Sequence, residues 1–226
     1  MEQVNIKGNV TKLVTETYNV DSLGELGKLE SVTIEIFDEL GYTIIDTTKN
    51  FIEKSEVVEF LIFNKNGSLS SSSTYENGKK QSKMLLKYES SKCIAIEIYD
   101  SKDKLESYHN NIQQTEFGLL LSMNSYDKKG KLTMSHKNGY DSIYQISAAS
   151  KDSSGVLVSE FKINLTENNY PENMLEISYY KDSTIKKYLS YKYEIWDKAG
   201  NWIQQTIFND NGKPVKMVKR IFSYHH

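Results

Sequence analysis

Two prolines, one cysteine and four histidines in 226 residues set the first limits on this protein. The lone Cys93 has no partner for a disulfide within the chain, and without a Cys-x-x-Cys pair the cysteine-rich zinc modules are excluded as well. No apolar run approaches the roughly 18 residues of a membrane-spanning helix. The longest, Phe117 to Met123, is diluted by Gly118 and Ser122. Charge is balanced, 28 Lys and Arg against 30 Asp and Glu, so no whole-molecule field draws nucleic acid, and nucleic acid is not expected as a partner. Signatures of common catalytic sites are missing: there is no Gly-x-Ser-x-Gly, no Gly-x-x-x-x-Gly-Lys-Ser/Thr, no His-Glu-x-x-His and no Gly-x-Gly-x-x-Gly.

What the chain does have is aromatic and apolar residues spread along its length, enough to offset the entropy that keeps polar chains disordered. Their period is two. In Ser31 to Phe37, Val32, Ile34 and Ile36 point one way while Thr33, Glu35 and Phe37 point the other. In Lys92 to Tyr99, Ile94, Ile96 and Ile98 form a face opposite Cys93, Ala95, Glu97 and Tyr99. Leu157 to Leu165 and Leu189 to Ile195 alternate in the same way. Alternation over such lengths, rich in Tyr, Ile, Val, Phe and Thr, predicts half-buried strands and little or no helix.

Between the strands a turn recurs: a ring residue, Asp or Asn, two or three polar residues, then Gly. The best copies are Phe37-Asp38 to Gly41, Phe63-Asn64 to Gly67, Tyr126-Asp127 to Gly130, Trp196-Asp197 to Gly200 and Phe208-Asn209 to Gly212. Asp or Asn accepts hydrogen bonds from its own turn, and Gly supplies the left-handed conformation that closes a type I turn with a bulge. Weaker copies stand at Tyr75-Glu76-Asn77-Gly78, Tyr99 to Asp103, His136-Lys137-Asn138-Gly139 and Tyr180-Lys181-Asp182, with worn turns at Asp152 to Gly155 and Glu167 to Asn169. The ring positions are spaced by about one or two units of a dozen residues, one strand plus one turn. Residues 1–226 therefore read as a single domain: an all-β antiparallel meander of about twelve-residue strand-turn units, curled into an open sheet, a shell or a barrel.

These residues resemble the YD repeat of Rhs proteins and of Gram-negative envelope proteins, most closely the degenerate form in uncharacterised Bacteroidetes lipoproteins. Tyr99-Asp100 and Tyr126-Asp127 match the Tyr-Asp pair, while Phe37-Asp38 and Trp196-Asp197 keep the chemistry with another ring. Gly130-Lys131-Leu132 stands where Gly-Arg-Leu commonly follows, and no copy carries that arginine. Ile6 to Tyr18 is similar to a leading strand of such chains, and Tyr191 to Trp202 with Val218 to Tyr224 to their last repeat. The resemblance implies a curled β-sheet protein and, with the missing catalytic signatures, leads to the expectation of a non-enzymatic binding or structural protein of the cell envelope, in the periplasm or on the outer surface, contacting a glycan or another protein. A lipid anchor is compatible with it if an N-terminal signal is removed, since Met1-Glu2-Gln3-Val4 lacks the regions of a signal peptide. If Met1 is the native start, a cytoplasmic interaction or toxin-immunity protein is the alternative.

Candidate binding residues are Trp196, Trp202 and Tyr188, whose rings combine a flat apolar face with a polar edge suited to sugars or protein hot spots. A glycan-acting hydrolase with a carboxylate pair is the enzymatic alternative, though no Asp or Glu pair is singled out. His136 fills an aromatic turn slot and His109 is read as part of a polar loop with Asn110 and Asn111. Cys93 reads as an inert packed thiol, and Ser68 to Ser73 as a polar edge strand or a flexible hairpin arm. No cofactor or metal is implied. His225 and His226 are given no role.

Overall fold

Strands with period-two faces satisfy their backbone groups only by pairing sideways, and the turns dictate that neighbours in sequence become neighbours in the sheet. The computed structural model describes residues 6–21, 24–116, 118–180 and 183–225. Its first strand, β1 (Val10–Val20), pairs with β2 (Leu26–Phe37) on one side. There follow β3 (Thr43–Asn50), β4 (Ser55–Phe63), β5 (Leu69–Glu76), β6 (Lys79–Glu89), β7 (Lys92–Asp100), β8 (Leu105–Gln114), β9 (Leu120–Asp127) and β10 (Leu132–Asp141). The chain continues through β11 (Tyr144–Asp152), β12 (Leu157–Leu165), β13 (Pro171–Tyr180), β14 (Ser183–Trp196), β15 (Trp202–Phe208) and β16 (Pro214–Tyr224). Each strand is hydrogen-bonded to its neighbours in sequence, and β16 returns to pair with β1. The antiparallel meander is thus closed into a barrel, with no helix among the described residues.

The turns are built as their chemistry requires. At Asp38, the amides of Leu40 and Tyr42 both donate to Oδ1 at 2.9 Å, while the Gly41 amide donates to the Asp38 carbonyl at 3.0 Å. Asp127 and Asn209 make the same set of bonds within their own turns, and Gly67 and Gly200 donate to the Asn64 and Asp197 carbonyls. Asp152 to Gly155 is an intact copy rather than a worn one. In the Asp100 turn Asp103 takes the left-handed place with φ 58°, and in the next worn copy Thr166 takes the Asp place, with Asn169 at φ 62°. Two further turns, opened by Asp21 and Thr115, escaped the sequence pattern because no aromatic precedes them.

One expected turn is a strand. His136-Lys137-Asn138-Gly139 lies inside β10, paired to β11 throughout and to β9 at His136 and Lys137, and a side chain at Gly139 would collide with Ser147. The serine run is likewise neither an edge nor a loose arm: Ser71 and Ser72 are buried in β5, which has a neighbour on each side in the closed order. Lys181 and Asp182 of the Tyr180 copy, the Met1 to Val4 segment and His226 lie outside the described residues.

The chain divides into two compact units. The first comprises Met1–Gly67, Ser72–Gln81 and Leu189–His226. In it, Leu13 is fully buried, opposite Phe222 of β16 and Glu35 of β2, and Val218 and Arg220 are buried on the same face. The Asn201 side chain ties the ends together: its amide donates to the Lys7 carbonyl at 2.8 Å and to the Tyr224 hydroxyl at 2.9 Å, while its oxygen accepts from the Lys7 amide at 2.6 Å. The second unit comprises Ser68–Ser71 and Ser82–Tyr188. Its Tyr108 and Tyr126, opposite one another on β8 and β9, stack with centroids 5.2 Å apart, an arrangement that adds about 0.5–1.5 kcal/mol beyond burial.

Gly41 and Gly67 provide a matched comparison, with φ of 83° and 82°. A side chain at Gly41 meets open space, whereas at Gly67 it would collide with the hydroxyl of Tyr42, whose ring is stacked on Phe63. Gly41→Ala should therefore cost only the backbone strain, about 1–2 kcal/mol, and Gly67→Ala measurably more. Equal losses in denaturant unfolding would show that the Tyr42 ring yields without cost.

Candidate functional site

The two internal histidines, separated by 27 positions in sequence (136 − 109), meet in the second unit. His109 is on β8 rather than in a loop, and His136 is on β10; β9 lies between them. Ladder register puts Ser125 of β9 opposite His109 and also opposite Met134, and puts Met123 opposite His136. His136 in turn stands opposite Ser150 of β11. All of these side chains share one face because residues two apart on a strand point the same way.

The polar atoms form a continuous chain. His109 Nδ1 is 2.8 Å from Ser125 Oγ, which is 3.2 Å from His136 Nε2, and His136 Nδ1 is 2.9 Å from Ser150 Oγ. One consistent proton arrangement has His109 Nδ1–H donating to Ser125, the Ser125 hydroxyl donating to His136 Nε2, and His136 Nδ1–H donating to Ser150. Ser125 is buried. Burial pushes the pKa of both imidazoles down, and His136 lowers that of His109 further by charge repulsion. Both rings thus stay neutral to lower pH than an exposed histidine does. The sequence offered one weak signal for this meeting, the alternation of His136 with Met134 and of Ser125 with Met123, which shows a face but not its neighbours.

Elsewhere in the first unit, Glu35, Asp46 and Glu59 stand in a row across β2, β3 and β4. Burial, then the charge of Glu59, raises the Asp46 carboxyl above its ordinary range, against a hydrogen bond from Thr48. Among the described residues no three His, Cys, Asp or Glu side chains come together as a metal-binding group. Cys93 is buried in the second unit; its amide donates to Gln114 Oε1 at 3.0 Å and burial raises its thiol pKa, so it is held as the unreactive thiol.

The aromatic candidates fall in different settings. Trp202 is 6% exposed, its ring covered by the Arg220 guanidinium 3.5 Å from the centroid and met edge-on by Tyr193. That packing uses the face a ligand would need. Trp196, 42% exposed, contacts Tyr193 at 6.1 Å between centroids. Register shifts between Tyr193 and Trp196 break the strict alternation that would have put the two rings on opposite faces. Tyr188, 41% exposed, lies on the same strand, β14, but within the second unit.

The exposed face of the first unit holds a feature the sequence pattern did not single out as a surface. Ile221, Val14 and Ile34 are consecutive cross-strand neighbours on β16, β1 and β2, and Ile36, Ile45 and Phe60 are consecutive neighbours on β2, β3 and β4. Ile221 is 55% exposed, Phe60 44% and Ile62, two residues further on, 61%.

No family model matches the chain, and no curated protein matches it in sequence. Its fold is shared with a porin-like protein from Bacteroides uniformis, at 8% identity and a TM-score of 0.61 over 96% of this chain and 98% of that one. A porin-like protein from Bacteroides vulgatus overlaps 96% of this chain and 98% of its own at 10% identity, with a TM-score of 0.33. The Tc holotoxin pore of Photorhabdus luminescens overlaps 85% of this chain and 10% of its own at 14% identity, with a TM-score of 0.30. The first of these shows the fold.

The histidine chain makes stability dependent on pH. Histidines in the unfolded chain protonate near pH 6.5, whereas the folded pKa values lie lower, so on acidification the unfolded state takes up protons first. Their contribution is constant above about pH 6.5 and is lost as pH falls below it. Unfolding free energies measured at pH 7.5, 6.5 and 5.5 should fall across the last step, and His136→Gln should flatten that fall. A wild-type profile that is level across this range would contradict the neutral pair.

Proposed function

We propose that this chain is a non-enzymatic β-barrel protein of the bacterial envelope that binds another protein through the exposed apolar face of its first unit. The observation that carries the reading is the aligned row Ile221, Val14, Ile34 with Ile36, Ile45, Phe60 and Ile62. Closure of the strand order leaves no edge for a partner to extend by strand addition, so a partner must meet a face. Aliphatic side chains suit a protein surface better than a sugar, which calls for rings and hydrogen-bonding edges. Around the row stand charges of both signs: Lys12 opposite Ile36, the Lys49–Glu56 ion pair at 2.7 Å, and Glu16 opposite Lys219. An apolar centre rimmed by charge is the anatomy of a protein interface.

The envelope assignment draws support from the shared fold with a protein described as porin-like, and from ring-Asx-Gly turns that resemble those of a degenerate YD-type repeat. Lipid is not the proposed occupant of this face. From Val58 to Ile62 the apolar stretch of β4 rises about 14 Å, against the roughly 25 Å band of a barrel that crosses a membrane. Trp196, 42% exposed in the first unit, remains as a secondary contact for a glycan.

Replacing Ile62 and Ile221 together by Asp should change stability by no more than about 0.5 kcal/mol per site, as both are exposed. The same change should abolish crosslinking to an envelope protein that wild type captures in its native host. Capture that survives the double substitution would remove this face as the interface. Binding on a glycan array, lost in Trp196→Ala, would favour the glycan instead. Hydrolysis of glycosides that disappears on Asp46→Asn would overturn the non-enzymatic reading.

A further inference from the structure

The face that unites His109 and His136 also carries two thioethers. Met134 stands opposite Ser125, and Met123 stands opposite His136, so two histidines and two methionines neighbour Ser125 on one face of three adjacent strands. Cross-strand Cβ atoms on one face are about 4.5–5.5 Å apart, a separation that unbranched Met side chains span readily. All four residues are half-buried. On the far side of His109 its ladder partner is Ile96, an apolar wall.

We propose that this cluster binds a single Cu(I) ion, with His109 Nδ1, His136 Nε2 and the sulfurs of Met123 and Met134 as ligands. Three lines of chemistry support it. The two imidazole nitrogens already converge on one point, the Ser125 oxygen, at 2.8 and 3.2 Å. The remaining nitrogen of His136 faces Ser150 Oγ at 2.9 Å, and donation of its proton there leaves Nε2 with its lone pair toward the centre, the outer-shell bond that orients metal-bound histidines. His109 completes the set in the tautomer protonated at Nε2. Thioether sulfur is soft and selects Cu(I) over zinc, magnesium or calcium, and the absence of three convergent His, Cys, Asp or Glu side chains among the described residues leaves the harder ions without a ligand set.

The assignment is tested by competition for Cu(I) supplied anaerobically as its coloured bathocuproine complex. Wild-type protein should withdraw one equivalent. Met123→Leu with Met134→Leu, a swap that conserves volume and retains the fold, should weaken binding about tenfold or more, as should His136→Gln, while Cys93→Ser should leave it unchanged. Unaltered thermal unfolding of the apo variants shows that the loss belongs to the site. No withdrawal by wild type, full retention in the methionine double variant, loss in Cys93→Ser, or zinc bound as tightly as Cu(I) would each overturn the proposal.

Discussion

The ladder between β1 and β16 is the constraint on which the other fourteen strands depend. A meander satisfies every interior strand but leaves the first and last with a row of unpaired N–H and C=O groups, a template for aggregation. Here each of those edges is the other's partner, from Val10 opposite Tyr224 to Asn19 opposite Lys216. Leu13 is sealed in that seam. Asp197 joins it from a turn: burial opposes its ionisation, yet hydrogen bonds from Tyr224 and Asn201 hold its carboxyl below the ordinary range. One carboxylate thus shapes a hairpin and helps to fasten the chain's two ends.

Given that framework, period two does the remaining sorting, and it does so differently in the two units. In the first, the buried face mixes Leu13 and Val218 with Arg220, Gln205 and the Glu35–Asp46–Glu59 row, while aliphatic side chains occupy the exposed face. In the second, the face that carries Ile96 and Ile98 also carries the histidine–serine chain, and Lys87 and Glu97 pair on the other. Polar groups on a buried face hold only when bonded, and the Thr33–Thr48 and His109–Ser125–His136 contacts meet that demand.

Much of the architecture was legible from local rules. Asp38, Asp127 and Asn209 announce their turns because the bonds that stabilise them lie within five residues, and Gly41, Gly130 and Gly212 adopt the left-handed φ that those turns need. Alternation located the strands for the same reason. Where a local rule was met by accident, as at His136 to Gly139, pairing to two neighbours outweighed the turn signal. Where the aromatic slot was vacant, at Asp21 and Thr115, the hydrogen bonds formed regardless.

The candidate sites were far less legible, since each depends on register between strands distant in sequence. Trp202 carries the composition of a binding platform, but Arg220 of the next strand covers it. His109 and His136 carry no motif, and become a cluster only because β9 brings Ser125 between them. By itself, then, the sequence determined the all-β class, the antiparallel order and most of the turns, for these follow from backbone chemistry over a dozen residues. Closure, the exposed aliphatic row and the histidine–methionine cluster were decided by tertiary structure, because the sideways register of one strand on another determines which side chains share a neighbourhood.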